Sequence, residues 1–74
     1  MSREIANRIE YTVMCISEFA YRHSLSYKHA YLYLKNHGGI AFLKDCYEAE
    51  HLLSIEDAID DLTLLCKRNG GNVA

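Results

Sequence analysis

The sequence predicts an all-α domain, a compact bundle of one long and three short helices. Apolar residues recur at spacings of three and four, proline is absent, and serines and glycine pairs separate the periodic segments. No segment alternates apolar and polar residues as a half-buried strand does. A chain of 74 residues is too short for two independent cores, so we expect a single domain.

The first two helices are predicted over about residues 3–23 and 26–36. Ser26 suits the N-cap of the second helix, because its hydroxyl can accept from a free amide of the first turn. Gly38 suits the left-handed conformation that ends this helix, and Gly39 permits a sharp turn after it. The apolar stripe of the first helix comprises Ile5, Ile9, Val13, Ile16 and Ala20.

The other two helices are predicted over about residues 40–51 and 54–68. Ser54 and Asp57 have the spacing of a capping box, and Asn69-Gly70-Gly71 is a stop signal. Residues 69–74 are expected to form a frayed tail. The predicted core comprises Ile9, Val13, Ile16, Ala20, Tyr31, Leu34, Phe42, Leu43, Cys46, Ile59, Leu62 and Cys66.

Charge and cysteine content limit the classes of partner and the compartment. The formal charge of −2 offers no electrostatic reason to bind phosphate backbones, so nucleic acid is disfavoured. No secretory signal and no membrane-spanning stretch is visible. Cys15, Cys46 and Cys66 lie among apolar residues, as buried thiols do in a reducing cytoplasm, and we expect a cytoplasmic protein.

No constellation for catalysis or metal binding is visible. Four histidines and three cysteines suggest zinc, but no Cys-x-x-Cys and no His-x-x-x-His pair occurs. The acids Glu56, Asp57, Asp60 and Asp61 fit a solvated helix face. Neither a nucleophile turn nor a glycine-rich phosphate loop is present. We therefore expect no cofactor, no metal, no small-molecule substrate and no enzymatic activity.

Several apolar side chains lie away from the predicted stripes. Tyr11, Met14 and Tyr21 form a second apolar strip on the first helix, roughly opposite Ile5 and Ile9. Either the fourth helix covers this strip or a partner protein does. The residues that we predict to bind a partner are Tyr11, Met14 and Tyr21, together with Leu32 and Leu64, which lie off the stripes of their own helices.

A small DNA-binding regulator is the alternative hypothesis. Two short helices joined by a glycine-containing turn follow the long one, as in a helix-turn-helix arrangement, and Lys28, Lys35 and Lys44 could contact phosphates. The exposed face of the candidate recognition helix is poor in Arg, Asn and Gln, and the net charge is negative. Both observations disfavour this alternative.

Residues 12–62 resemble a family of small bacterial helical proteins known only as a domain of unknown function. The likeness rests on Cys15-Ile16-x-Glu18, Leu25-Ser26-x-Lys28-x-Ala30-Tyr31-x-x-Leu34 to Gly38, and then Leu43, Tyr47 and His51. Members of that family are often encoded beside an ADP-ribosyltransferase-like domain, which implies a toxin and antitoxin pair. Small size, the second apolar strip and the lack of a catalytic constellation lead to the hypothesis of a non-catalytic interaction module that self-associates, with a homodimer plausible, or binds a partner protein.

Overall fold

The computed structural model describes residues 2–71, and these residues form five helices. They are α1 (Arg3–Arg22), α2 (Tyr27–Asn36), α3 (Gly39–Asp45), α4 (Tyr47–Glu50) and α5 (Ile55–Arg68). The predicted all-α class is confirmed. One boundary needs correction: the segment 40–51 is not one helix, because the backbone at Cys46 (φ −107°, ψ 17°) departs from helical values and separates α3 from α4.

Serine hydroxyls cap the N-termini of the three longest helices. Ser2 accepts from the amide of Ile5 at 3.2 Å, and Ser26 accepts from the amide of His29 at 3.1 Å. Ser54 accepts from the amide of Asp57, also at 3.1 Å. These bonds satisfy amides that have no partner within the helix. The predicted caps at Ser26 and Ser54 are confirmed.

A left-handed residue follows α1, α2 and α5. Gly38 has a φ of 80° and Gly70 a φ of 90°, whereas the corresponding residue after α1 is Ser24, with a φ of 55°. After α5, the amide of Gly71 returns to the carbonyl of Cys66 at 2.8 Å, the bond of a Schellman motif. Residues 69–71 therefore form a capping turn, which differs from the frayed tail predicted for residues 69–74, and residues 72–74 lie outside the described residues.

The core is formed mainly by α1, α2, α3 and α5, and its position on α1 differs from the prediction. Ile9, Val13 and Tyr31 were expected inside but are 50%, 45% and 37% exposed, and Phe42 and Cys46 are only half-buried. The buried apolar side chains are Cys15, Ile16, Phe19, Ala20, Ala30, Leu34, Leu43, Ala58, Ile59, Leu62 and Cys66.

Helix lengths explain why part of the predicted stripe stays exposed. A helix of 20 residues such as α1 is about 30 Å long, and one of 10 residues such as α2 is about 15 Å long. Consequently α2 covers only part of α1. Ile16 and Ala20 are buried, whereas Ile5, Ile9 and Val13 extend along the uncovered part.

Three helices end in the same aromatic and histidine pair, four residues apart. Phe19 and His23 end α1, Tyr33 and His37 end α2, and Tyr47 and His51 end α4, with ring centroids separated by 4.4, 4.5 and 4.3 Å. The Nδ1 groups of His37 and His51 donate to the carbonyl oxygens of Tyr33 and Tyr47 at 2.7 and 2.6 Å. These two imidazoles thus satisfy carbonyl groups at helix C-termini.

Candidate partner-binding groove

An apolar groove of about 590 Å³ runs along the uncovered half of α1. Its floor is formed by Ile16 and Leu43, which are 2% and 1% exposed. The walls comprise Ile5, Ile9 and Val13 of α1, Tyr27 and Tyr31 of α2, Ile40 and Lys44 of α3, and Tyr47 of α4, with Arg8 and Thr12 also lining the groove.

The apolar side chains of the walls are substantially open to solvent. Ile5 and Ile9 are 51% and 50% exposed, and Tyr27 is 46% exposed. Single exposed apolar residues are common, but a contiguous set in one concavity is typical of a binding surface. The groove is therefore the main candidate site in residues 2–71.

Two polar side chains of the α1 wall are already engaged within the chain. The Thr12 hydroxyl donates to the carbonyl oxygen of Arg8 at 2.9 Å. The Arg8 guanidinium pairs with Glu4 at 3.2 Å and Glu48 at 2.8 Å, and lies 4.5 Å from the centroid of the Tyr47 ring. An occupant would thus meet apolar surface along most of this wall.

Lysines lie on the opposite side of the groove. Lys44 of α3 lines it directly, and Lys28 and Lys35 stand three residues before and four residues after Tyr31 on α2. Residues at these spacings are neighbours on a helix surface. All three lysines are exposed, and none of them forms an ion pair within residues 2–71. The α2 and α3 side of the groove therefore carries Lys44 and, beside Tyr31, two further lysines that are not paired within residues 2–71.

The five residues predicted to bind a partner do not form one surface. The Tyr11 ring packs against the core and contacts Tyr47 edge to face at 5.4 Å, so this part of the strip is covered within the chain and is not exposed with Met14 and Tyr21. Met14 and Tyr21 are exposed as predicted, at 46% and 86%. Leu32 and Leu64 are exposed on α2 and α5. A role for these residues in partner binding stays a prediction.

Ile9, Val13 and Tyr31 of the groove were predicted in the core because their spacing is that of a buried stripe. The missed signal is that α1 carries two apolar faces, one with Ile5, Ile9 and Val13 and one with Cys15 and Phe19. A short neighbouring helix cannot bury both. The presence of two apolar faces on α1 therefore indicated that one of them stays exposed.

A buried carboxyl group lies on the side of the bundle between α4 and α5. Glu50 is 7% exposed, and its Oε1 has no hydrogen-bond partner within residues 2–71. Burial and the neighbouring Asp61 carboxyl raise the pKa of Glu50 to about 7. Glu50, Asp61 and Leu64 border a second, smaller cleft of about 300 Å³. No functional role was predicted for Glu50.

The thiols and acids have the environments of structural groups. Burial raises the pKa of the Cys15 and Cys66 thiols, which keeps them protonated and poorly nucleophilic. The acids predicted on the solvated face of α5 are exposed, and Asp60 pairs with Arg22. Nowhere in residues 2–71 do three His, Cys, Asp or Glu side chains come together in a group that could hold a metal ion.

Residues 10–69 match the family described as "Protein of unknown function (DUF3791)". The chain belongs to this family. The match covers α2 to α5 completely and most of α1, including Val13, Tyr27 and Tyr31 of the groove. No curated protein and no solved structure matches the chain. No helix within residues 2–71 of this DUF3791 protein combines the length and apolar character needed to cross a bilayer.

Proposed function

We propose that this DUF3791 protein is a non-catalytic protein-interaction module of the cytoplasm and that it binds its partner through the apolar groove. The observation that supports this proposal is the set of half-exposed residues Ile5, Ile9, Val13 and Tyr27 around one concavity. Burying apolar surface is the dominant favourable contribution to most protein association, at about 25 cal/mol per Å². The groove replaces Tyr11, Met14 and Tyr21 as the principal contact surface.

A more specific form of the proposal is an antitoxin-like role. The family resemblance associates such proteins with a neighbouring ADP-ribosyltransferase-like domain, and that domain is the first partner to test. Binding through the groove would hold such a partner in an inactive complex. Self-association through the same surface is the other form of the proposal, because a domain of this size benefits from additional buried surface.

Adjacent residues on α1 provide a matched test. Val13 and Met14 are 45% and 46% exposed, but only Val13 lines the groove. The wild-type protein and its Val13→Glu and Met14→Glu variants should be purified with the neighbouring gene product, and binding measured by calorimetry and sedimentation. We expect Val13→Glu to weaken binding or self-association by at least about tenfold, or 1.4 kcal/mol, and Met14→Glu to leave it unchanged. Equal affinities for all three proteins would exclude the groove.

A further inference from the structure

We propose that the occupant of the groove is an amphipathic helix of a different protein, with acidic residues along the edge that faces α2 and α3. This inference rests on the proposed function and specifies its partner. It follows from the shape of the groove, from the side chains that line it and from the distribution of charge around it.

The lining favours an apolar helix over a small polar ligand. A small-molecule site needs a few polar groups that converge on the ligand. On the α1 wall, Thr12 and Arg8 are occupied by contacts within the chain. Apart from Lys44, the other walls present aliphatic and aromatic side chains. A groove of this kind accommodates side chains at positions i, i+3, i+4 and i+7 of a helix.

The groove is not complementary to itself. In a closed twofold dimer the same surface of each copy meets itself, so a groove on the twofold axis would face a second groove and leave space unfilled. The exposed apolar side chains Met14, Tyr21 and Leu52 are absent from the groove lining. If one of them entered the groove of the other copy, a closed dimer would require the same contact to form twice, related by the twofold axis.

The charge around the groove determines which amphipathic helix fits. Lys44 at the α3 wall and Lys28 and Lys35 beside Tyr31 have no acidic partner within residues 2–71. In contrast, Arg8 at the α1 wall is neutralised by Glu4 and Glu48. An occupant with Glu or Asp on one edge would meet the three lysines, and a basic edge would be repelled.

Two fluorescein-labelled helical peptides test this inference. Both carry leucine at i, i+3, i+4 and i+7; one has glutamate and the other lysine at the flanking positions. Fluorescence polarisation should be measured at low and high salt with wild type, Val13→Glu, Met14→Glu, Lys44→Glu and one charge control. Lys67→Glu, which changes an exposed lysine of α5, is the charge control. Circular dichroism establishes that each variant is folded.

We expect the acidic peptide to bind wild type about tenfold more tightly than the basic peptide at low salt, because three exposed charge pairs each contribute a small factor. Lys44→Glu should reduce this ratio by about threefold, and Lys67→Glu should not change it. Val13→Glu should abolish binding of the acidic peptide, and Met14→Glu should retain it. High salt should reduce the preference, since exposed charges are screened.

Three results would overturn the inference. Equal affinity for the two peptides would show that the occupant does not need an acidic edge. If neither peptide bound and wild type formed a dimer that Val13→Glu dissociates, the occupant would be a second copy, and the proposed interaction function would stand. If neither peptide bound and wild type were monomeric, the helical occupant would be excluded, and the proposed function would then depend on the neighbouring gene product alone.

Discussion

The imidazole of His51 lies nearly parallel to the ring of Tyr47, at a centroid distance of 4.3 Å and an interplanar angle of 8°. Its Nδ1 also donates to the carbonyl oxygen of Tyr47 at 2.6 Å. The His51 side chain thus stacks on the Tyr47 ring, one turn earlier, and also donates to the backbone carbonyl of Tyr47. Tyr47 in turn lines the groove, so this pair fixes one end of the candidate site.

His51→Ala should therefore destabilise the fold by about 1 kcal/mol, the usual contribution of one hydrogen bond with its packing. His51→Phe should recover the stacking but not the bond, and should lie between the alanine variant and wild type. The control is His29→Ala, since His29 is an exposed residue of α2. Urea unfolding of wild type and the three variants measures these differences in stability. Equal loss for His29→Ala and His51→Ala would show that the pairing contributes nothing specific.

Glu50 should make stability depend on pH. Its pKa is raised in the folded chain from an ordinary 4.5 to about 7, so the folded state holds this proton more tightly than the unfolded state. The resulting stabilisation is complete below pH 4.5 and is lost as the pH rises through 7. The free energy of unfolding of Glu50→Gln should match that of wild type below pH 4.5 and exceed it by about 3 kcal/mol above pH 7.

Urea unfolding across this pH range provides the measurement for Glu50→Gln. Glu48→Gln is the control, because Glu48 is an exposed neighbour on α4 that pairs with Arg8. Its effect should stay within about 1 kcal/mol, as for other surface ion pairs. A stability difference between Glu50→Gln and wild type that did not vary with pH would contradict the assignment.

Ser24 offers a stabilising substitution. It follows α1 with a φ of 55°, and the amide of Leu25 bonds to the carbonyl of Ala20 at 2.9 Å. A left-handed backbone costs a residue with a Cβ about 1 kcal/mol, whereas glycine adopts it freely. We expect Ser24→Gly to raise the free energy of unfolding by about 0.5 kcal/mol. Ser17→Gly, an exposed position inside α1, should lower it, and a loss of stability in both variants would contradict the prediction.

The two glycines after α2 should be sensitive to substitution for different reasons. Gly38 has a φ of 80°, and a Cβ there would lie 2.9 Å from Nδ2 of Asn69; at Gly39 a Cβ would lie 2.7 Å from Cδ2 of Leu34. We expect each alanine variant to lose about 1–3 kcal/mol, from strain at Gly38 and overpacking at Gly39. Thermal and urea unfolding measure both losses.

A double-mutant cycle separates strain from collision at Gly38. Asn69 Nδ2 donates to the carbonyl oxygen of His37 at 2.7 Å, so Asn69→Ala alone should cost about 1 kcal/mol. Once that side chain is absent, Gly38→Ala should cost only its backbone strain, and the two losses should sum to more than the loss in the double variant. Strict additivity would show that Asn69 does not restrict Gly38.

Local signals predicted the helix ends well. Ser26 and Ser54 cap their helices through bonds to residues three positions ahead, and Gly38 adopts the left-handed backbone expected of it. Such features depend on a few consecutive residues, so they can be inferred without knowledge of the tertiary fold. The same holds for the buried stripe of α5, where Ile59, Leu62 and Cys66 all lie in the core.

Tertiary features were predicted less well. Whether Ile9 or Phe19 is buried depends on which part of α1 the shorter α2 covers, and no local pattern contains that information. The division of the third predicted helix at Cys46 occurs without glycine or proline in residues 40–51. The aromatic and histidine pairs were visible in the sequence as a repeated spacing of four, but only the structure shows that His37 and His51 close helix ends.

Ile16 and Leu43 belong to the core and also form the floor of the groove. A single layer of side chains therefore separates the interior from the groove. A change of volume at either residue alters both the core and the groove, so substitutions that repack the interior also change the shape of the groove. Conversely, an occupant that binds only the folded chain adds its binding free energy to the stability of the domain.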